Sequence, residues 1–179
     1  LVYYGPAYGG KTTNLEAIHK ITCHDSSGSL LSVQTAQERT LFFDLLPFDL
    51  GHILGYKVAL KLYTVPGQVQ YNTTRRVVLN GADAVVFVAD STRTRVQDNR
   101  DSLKDLAANK QANKLNPYHV PVLIKYNKQD VYEAMSADEM EQAYGVRPGK
   151  GFPAVAIRGD GVMDTFLSAT KVMLRRLVD

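Results

Sequence analysis

The chain has 179 residues, of which 45% are hydrophobic and 22% are charged, and this composition excludes a largely disordered protein. One cysteine cannot form an internal disulfide, and no apolar run approaches the roughly 20 residues of a membrane helix. We therefore expect one domain over residues 1–179, located in the cytoplasm and without a transmembrane segment. The basic residues behind the net charge of +3 are scattered, so no nucleic-acid surface is expected, and the pair Arg75–Arg76 is interpreted as part of a solvated helix face.

Short apolar runs alternate along the chain with longer segments of helical period. Strands are predicted over 1–4, 40–50, 56–65, 82–90, 120–127 and 152–157, and helices over 12–21, 94–112, 136–144 and 162–178. Pro47 indicates an edge position or a bulge, while Gly51 and Gly55 are placed in the connection between the second and third strands. The alternation predicts an α/β fold with a mostly parallel sheet, covered by helices on both faces, that binds ligands at the carboxyl ends of its strands.

The end of the first predicted strand carries a complete phosphate-binding motif. The residues GPAYGGKT, 5–12, match G-x-x-x-x-G-K-[ST] between a buried strand and a helix. In such a loop, backbone N–H groups and the helix N-terminus face phosphate oxygens. Lys11 is expected to reach the β- and γ-phosphates, and the Thr12 hydroxyl to ligate Mg²⁺. The other nucleotide-binding residues expected in this segment are Gly5, Pro6, Ala7, Tyr8, Gly9, Gly10 and Thr13.

Two segments bear on which base the nucleotide carries. Asp90 ends the apolar run AVVFVAD, which is typical of the Walker-B aspartate of P-loop ATPases, although a residue that caps the following helix fits the same place. NKQD, 127–130, follows another strand and matches the guanine-reading motif N-K-x-D. An ionised Asp130 can accept hydrogen bonds from guanine N1–H and N2–H₂, and adenine offers no such pair of donors. With Asn127 bracing the pocket and the aliphatic part of Lys128 covering the base, we favour guanine over the ATPase alternative.

Five segments, in order, are similar to those of the Ras-like small GTPases. They are GPAYGGKTTNL, ERTLFFDLLPFDLG, LYTVPGQVQYN, VVFVADS and NKQD, and they occur in the right order across nearly the whole chain. ERTLFFD–LP and TVPGQ resemble more narrowly the MglA-type bacterial branch of gliding and polarity proteins. The resemblance implies the doubly wound P-loop fold with six or more strands and about five helices. It also implies Mg²⁺-dependent GTP hydrolysis, a polarity or motility switch recruited to a cell pole, and activation by a dimeric Roadblock-domain partner of the MglB type.

The same resemblance assigns roles by position. Thr40 would meet Mg²⁺ with its hydroxyl and the γ-phosphate with its backbone N–H. Gln68 would orient the attacking water next to Gly67, a nucleotide contact of the second switch. Arg39 would act as a built-in arginine finger, or else be a surface arginine of the first switch. Ala156 would present its backbone N–H to guanine O6.

Two departures from the family pattern bear on catalysis. Thr64 replaces the aspartate that normally holds a magnesium-bound water, and we expect Asp44 to supply the missing carboxylate unless it faces solvent. Ala7 replaces a glycine, and its methyl group is expected to point toward the space shared by Gln68 and the γ-phosphate. Slow intrinsic turnover is predicted, and a GTP-binding scaffold with negligible hydrolysis stays open as an alternative.

Partner contacts are expected on the two switch segments, 39–48 and 64–76. The apolar run Leu45, Leu46, Pro47 and Phe48 is the preferred candidate, because an apolar run at a sheet edge can mark an interface. Tyr71 is a further candidate contact.

Overall fold

A computed structural model describes residues 1–22, 28–34, 42–53, 55–116 and 119–175. Its strands are β1 (Val2–Tyr4), β2 (Leu31–Gln34), β3 (Phe42–Ile53), β4 (Tyr56–Thr64), β5 (Val85–Asp90), β6 (Val122–Asn127) and β7 (Phe152–Pro153). Its helices are α1 (Lys11–Thr22), α2 (Asn72–Leu79), α3 (Val96–Ala112), α4 (Ala137–Tyr144) and α5 (Val162–Arg175). Within these ranges every predicted strand and helix has a counterpart, and β2 and α2 are additional. The strand predicted over 152–157 was too long, since only Phe152–Pro153 is a strand and a turn follows it. No helix in the described ranges has the length and apolar character needed to cross a membrane.

All seven strands of the described chain form one sheet in the order β2-β3-β4-β1-β5-β6-β7. The β1–β4, β1–β5, β5–β6 and β6–β7 pairs are parallel, and the β2–β3 and β3–β4 pairs are antiparallel. The sheet is therefore mostly parallel, as predicted. The strand order reverses at β1, and in open α/β sheets a ligand crevice forms at such a switch point, outside the carboxyl ends of the strands.

The core consists of two apolar clusters, one on each face of the sheet. Because side chains alternate along a strand, Tyr3, Val86 and Val88 contribute to one cluster, and Val2, Tyr4, Val85 and Phe87 to the other. The first cluster includes α1 and α5 through Leu15, Ile18, Phe166 and Ala169. The second includes α2, α3 and α4 through Leu79, Leu106 and Met140. Helices thus cover both faces, which confirms the predicted layer architecture.

Arg75 and Arg76 were expected on a helix face, but the bounds of helix α2 were not predicted, because its sequence NTTRRVVL is rich in β-branched residues, which have modest helix propensity. It is nevertheless a helix, with Thr74, Arg75 and Leu79 buried. Tertiary burial outweighs local propensity here. The prediction that Arg75 belongs to a solvated face was therefore wrong, since this side chain is only 4% exposed.

Two further expectations are wrong in the β3–β4 hairpin. Gly51 lies inside β3, where the ladder shifts register between Asp49 and His52, and its φ of +70° suits that irregularity. Leu46 and Phe48 are core residues, 0% and 5% exposed, so the prediction that they form a partner surface was wrong. Pro47 lies beyond Leu45, the last β3 residue paired with β2, which agrees with the predicted edge position.

Candidate nucleotide-binding site

The loop between β1 and α1 encloses a buried lysine. Lys11 is 7% exposed, and its Nζ donates hydrogen bonds to the carbonyl oxygens of Gly5 at 3.0 Å and Pro6 at 2.7 Å. Burial, with a further contribution from the positive charge of Arg75 and against the opposing effect of Asp44, lowers the pKa of Lys11 to about 7. A desolvated ammonium beneath a glycine-rich loop favours an anionic ligand, because a nearby negative charge would restore the charged form. The loop therefore fits the predicted phosphate site, with Thr13 in the first turn of α1.

Two glycines allow this loop to pack against neighbouring backbone. Gly5 has a φ of +144°, and a Cβ there would lie 2.3 Å from the Val88 carbonyl oxygen of β5. Gly10 has a φ of +97°, and a Cβ there would lie 2.2 Å from Asn127 Nδ2. Asn127 Nδ2 in turn donates to the carbonyl oxygen of Gly9 at 2.9 Å. The phosphate loop and the N-K-x-D motif are thus in direct contact, as a single nucleotide site requires.

The predicted metal residues Thr12 and Asp44 meet at the mouth of this loop. Thr12 Oγ1 donates to Asp44 Oδ2 at 2.6 Å, and Thr64 Oγ1 donates to the same oxygen at 2.8 Å. Ser32 Oγ donates to Asp44 Oδ1 at 2.8 Å, and the Asp44 N–H donates to Thr64 Oγ1 at 2.9 Å. These are hard oxygen groups, which Mg²⁺ prefers. Ser32 was missed by the sequence reasoning because it lies on the unpredicted strand β2.

The second switch packs against the phosphate loop at Ala7. A Cβ on Gly67 would lie 2.2 Å from the Ala7 nitrogen, so the glycine is required for this approach. Ala7 and Gln68 line the same cavity of about 430 Å³, together with Lys11, Thr12 and Asp44. The structure therefore brings together the residues expected around the γ-phosphate. Arg39 and Thr40, predicted for the first switch, lie outside the described residues.

The backbone of the second switch is attached to a buried arginine. Arg75 Nη1 donates to the carbonyl oxygens of Pro66 at 3.2 Å and Gln68 at 2.5 Å. Arg75 Nε lies 2.7 Å from Asp105 Oδ2 on α3, and the Tyr4 hydroxyl donates to the same carboxylate oxygen. This chain of contacts ties the Gln68 segment to α3 and β1. A basic residue in an amphipathic pattern gave no sequence signal for that role.

At the guanine end, Asn127 connects three segments. It is 2% exposed, and its Oδ1 accepts a hydrogen bond from the Ala156 N–H at 2.9 Å. The backbone N–H of Ala156 is thus engaged with Asn127 in this structure, and its contact with guanine O6 stays a prediction. Lys128 adopts a φ of +67° and Asp130 is exposed. Gln129 turns its amide toward Ser91 and Met135, away from the motif residues on either side.

Asp90 does not occupy the position of a metal-binding carboxylate. Its Oδ1 accepts from the Thr92 N–H at 3.0 Å and from Thr92 Oγ1 at 2.7 Å, and its Oδ2 pairs with Lys128 Nζ at 2.7 Å. Thr92 immediately precedes the 3₁₀ turn Arg93–Arg95, which leads into α3. Neither this turn nor α3 begins with a side-chain cap, so the expectation that Asp90 caps the following helix was wrong, and its two oxygens are instead paired with Thr92 and Lys128.

Comparison with known sequences identifies the family. The sequence profile of the ADP-ribosylation factor family matches residues 31–167. The chain belongs to this family. It is 44% identical to the mutual gliding-motility protein MglA of Myxococcus xanthus, over 99% of this chain and 91% of that protein. It is 23% identical to ADP-ribosylation factor K of Dictyostelium discoideum, over 76% of this chain and 79% of that protein. It is 25% identical to the small COPII coat GTPase SAR1 of Giardia intestinalis, over 97% and 88%.

The chain is therefore a small GTPase, a GTP-binding switch that uses Mg²⁺, and the resemblance to MglA-type proteins is confirmed. The residues present fit these ligands. Lys11 offers a buried cation for the phosphates, and Thr12, Thr64 and Asp44 offer oxygens near them. No group of three or more His, Cys, Asp or Glu side chains suited to a metal occurs in the described ranges. A magnesium ion at this site would therefore rely on hydroxyl groups, one carboxylate and the nucleotide itself.

Proposed function

We propose that this GTPase is an MglA-like switch of cell polarity or motility in which Gln68 orients the water that attacks GTP. The observation that supports the proposal is the convergence of Thr12, Asp44 and Gln68 on one cavity beside the phosphate loop. Phosphoryl transfer depends mainly on positioning and on stabilisation of charge, and the shared cavity supports a role for these residues in both tasks.

Each residue of the phosphate end has one task in this proposal. Lys11 binds the β- and γ-phosphates together with the surrounding backbone N–H groups. When bound, Mg²⁺ neutralises charge on the phosphate oxygens. The hydroxyls of Thr12 and Thr40 are its protein ligands, and Asp44 is the nearby carboxylate that acts through a water molecule. Arg39 stabilises the charge that develops in the transition state.

The guanine end selects the nucleotide. Asp130 accepts hydrogen bonds from the guanine N1–H and N2–H₂ groups, and Asn127 fixes the pocket that surrounds the base. The aliphatic part of Lys128 covers the base, and the backbone of Ala156 approaches guanine O6. Adenine lacks the two donors, so binding ATP would leave the Asp130 carboxylate without its partners.

Signalling is assigned to the switch segments 39–48 and 64–76 of a single domain. The Myxococcus xanthus relative is a mutual gliding-motility protein, and we propose a comparable role for this chain. A dimeric MglB-like Roadblock-domain protein would stimulate hydrolysis and effectors would bind the GTP form, with recruitment to a cell pole through such partners. Of the predicted contact residues, Leu45 and Pro47 are half-buried and remain candidates, as does Tyr71.

The test is single-turnover phosphate release from GTP in the presence of Mg²⁺, repeated with ATP and with Mg²⁺ chelated. We expect the wild-type protein to release phosphate from GTP with Mg²⁺ but not from ATP or after chelation of Mg²⁺. In Gln68→Leu we expect about 10²-fold slower release at unchanged GTP affinity, because the variant removes only the positioning of the water. Gln111→Leu is the matched control, since Gln111 is an exposed glutamine of α3 that does not line the cavity containing Gln68.

Two outcomes contradict the proposal in different ways. If Gln68→Leu hydrolyses GTP at the wild-type rate, Gln68 takes no part in the reaction. GTP binding without measurable hydrolysis, even with an MglB-like partner added, favours the scaffold alternative.

A further inference from the structure

Asp90 is a buried carboxylate that neither the phosphate end nor the base contacts described above use. It ends β5 with 2% of its side chain exposed. Burial alone would raise the pKa of Asp90, but hydrogen bonds from Lys128 and Thr92 outweigh it and hold the pKa below its usual range. The group is therefore an ionised carboxylate inside the protein, and such a charge is costly unless its partners are fixed around it.

The two carboxylate oxygens of Asp90 face different segments. Oδ1 is occupied by the N–H and hydroxyl of Thr92, which fixes the side-chain rotamer from its own loop. Oδ2 lies 2.7 Å from Lys128 Nζ and 3.9 Å from Arg95 Nε. Arg95 Nη2 in turn donates to the carbonyl oxygen of Ala7 at 2.7 Å. One oxygen thus anchors the residue, and the other faces the guanine motif and an arginine attached to the phosphate loop.

The backbone of Asp90 is held as firmly as its side chain. Its N–H donates to Asn99 Oδ1 at 3.0 Å, and Asn99 Nδ2 donates to its carbonyl oxygen at 2.8 Å. Asn99 is fully buried on α3. The next residue, Ser91, donates its N–H to the Asn127 carbonyl oxygen at 2.9 Å, so β5 and β6 end at the same level. Asp90 therefore presents a fixed negative charge next to the guanine motif.

Lys128 is the partner that gains most from a fixed charge. Its side chain is flexible in isolation and is 32% exposed. Its backbone is in the left-handed region, with a φ of +67°, which residues other than glycine seldom adopt. An ion pair that holds the side chain before the nucleotide arrives lowers the ordering cost of binding.

We propose that Asp90 is a positioning residue for guanine nucleotides, which holds Lys128 over the base site and, through Arg95, steadies the phosphate loop at Ala7. The inference rests on the proposed role of Lys128 in covering the base. Asp90 touches no nucleotide in this scheme. Because GDP and GTP share the base, the loss of Asp90 should weaken both nucleotides by the same factor.

The first experiment measures release of fluorescent GDP and of a fluorescent, non-hydrolysable GTP analogue from Asp90→Asn. The substitution keeps an Oδ1 acceptor for Thr92 and replaces the oxygen that faces Lys128 with an amide NH₂. We expect about tenfold faster release of both nucleotides, because one hydrogen bond between charged groups is lost. Asp101→Asn is the matched control, since Asp101 is an exposed aspartate of α3 that accepts a hydrogen bond from Gln97 rather than from Arg95 or Lys128, and its release rates should match wild type.

The second experiment leaves the buried carboxylate intact, so it stands even where Asp90→Asn folds poorly. Lys128→Met keeps an aliphatic cover for the base but cannot pair with Asp90, whereas Lys128→Arg keeps the pair. We expect Lys128→Met to release nucleotide about tenfold faster and Lys128→Arg to stay within about threefold of wild type. Adding Asp90→Asn to Lys128→Met should raise the release rate by less than about twofold, because the pair is already broken in the single variant.

Equal release from Lys128→Met and wild type would overturn the inference, as would an undiminished Asp90→Asn effect in the Lys128→Met background. Failure of the proposed guanine site is a separate outcome. In that case Asp130→Asn would leave the preference for guanine over other bases unchanged, whatever the Asp90 and Lys128 variants do.

Discussion

The two ends of the nucleotide site are built on different halves of the sheet. The guanine end lies on the parallel pair β5–β6, where Asp90 and Asn127 are each 2% exposed and hydrogen-bonded on several sides. The proposed metal end lies on the antiparallel strands β2, β3 and β4, where Asp44 is half-buried and Ser32 is exposed, and on the start of α1, where Thr12 is exposed. One end is an enclosed polar network, and the other is a cluster of oxygens at the surface.

The pairing of the strands explains this difference. The β5–β6 ladder runs without interruption from Val85↔Val122 to Asp90↔Asn127, so both strands end together. On the other side, Asp44 reaches Thr64 only because Leu45 pairs with Tyr63. A slip of one residue would turn Asp44 to the opposite face of the sheet. The guanine end is therefore preorganised by a buried framework, whereas the metal end depends on the register of a partly exposed hairpin.

The largest expected effect comes from reversing the hydrogen-bonding pattern at the guanine end. Asp130→Asn replaces one acceptor by a donor, which matches xanthine, whose carbonyl stands where guanine has its amino group. We expect about 10³-fold weaker GTP binding, together with a gain of xanthosine triphosphate binding. The guanine N2–H₂ group loses its acceptor and faces an amide donor, and the bond from N1–H loses its charged acceptor. Competition binding with both nucleotides measures the change, and Asp138→Asn on α4 is the control. Unaltered base preference would contradict the assignment of Asp130.

The next largest expected effect concerns a buried charge beneath the guanine motif, in the parallel half of the sheet. Lys125 on β6 is 0% exposed, and its Nζ makes a 3.4 Å hydrogen bond to the Gly161 carbonyl oxygen. Burial lowers the pKa of Lys125 from 10.5 to about 7, opposed by Asp164. Between these values the unfolded chain binds more protons than the folded one, so wild-type stability rises with pH and is lost as the pH falls toward 7.

Lys125→Met removes that pH dependence. We expect the variant to be more stable than wild type at pH 7, and its advantage to shrink by about 2 kcal/mol by pH 9. Urea unfolding at each pH measures this difference. Both proteins are saturated with GDP, because bound phosphate keeps Lys11 in the same protonation state in both. Lys57→Met, at an exposed lysine of β4, serves as the control. A constant difference between pH 7 and pH 9 would show that Lys125 does not titrate in this range.

At the metal end we expect a smaller loss from Asp44→Asn, about tenfold weaker Mg²⁺ dependence of GTP binding and turnover, or about 1.4 kcal/mol. The reason is that one negative charge near the proposed ion site is removed while Thr12, its proposed direct ligand, is kept. Thr12→Ala removes that proposed ligand and should weaken the Mg²⁺ dependence further. Titration of Mg²⁺ against both variants decides the order. An Asp44→Asn protein that matches wild type would exclude Asp44 from the metal site.

The smallest effect is expected at Ala7, where the two ends of the site are linked. Its backbone nitrogen and Cα lie against Gly67, it lines the same cavity as Gln68, and its carbonyl oxygen accepts from Arg95. Ala7→Gly should speed single-turnover hydrolysis about fivefold, since relief of roughly 1 kcal/mol of crowding around Gln68 corresponds to that factor. GDP release, which reports on the guanine end, serves as the control measurement. An identical hydrolysis rate in the variant would refute crowding by Ala7.

Much of the fold and about half of the candidate site were predictable because their signals are local. Lys11 and Thr12 belong to one motif, and Asn127 and Asp130 to another, so neighbouring residues identify them. The strand β2 and the helix α2 were missed because their sequences lack a strong period or helix propensity. Their absence from the prediction also concealed Ser32 and Arg75, which the folded chain brings to the site.

The sequence by itself determined the α/β architecture, the phosphate loop and the preference for guanine, because periodicity and contiguous motifs need no knowledge of distant contacts. Only the tertiary structure decided which polar groups meet across the chain. Thr12 and Asp44 are 32 residues apart, Asp90 and Lys128 are 38 apart, and Ala7 and Arg95 are 88 apart. Such pairs depend on strand register and on the crossover connections between strands. Those features are set by the packing of the whole sheet rather than by any local run of residues.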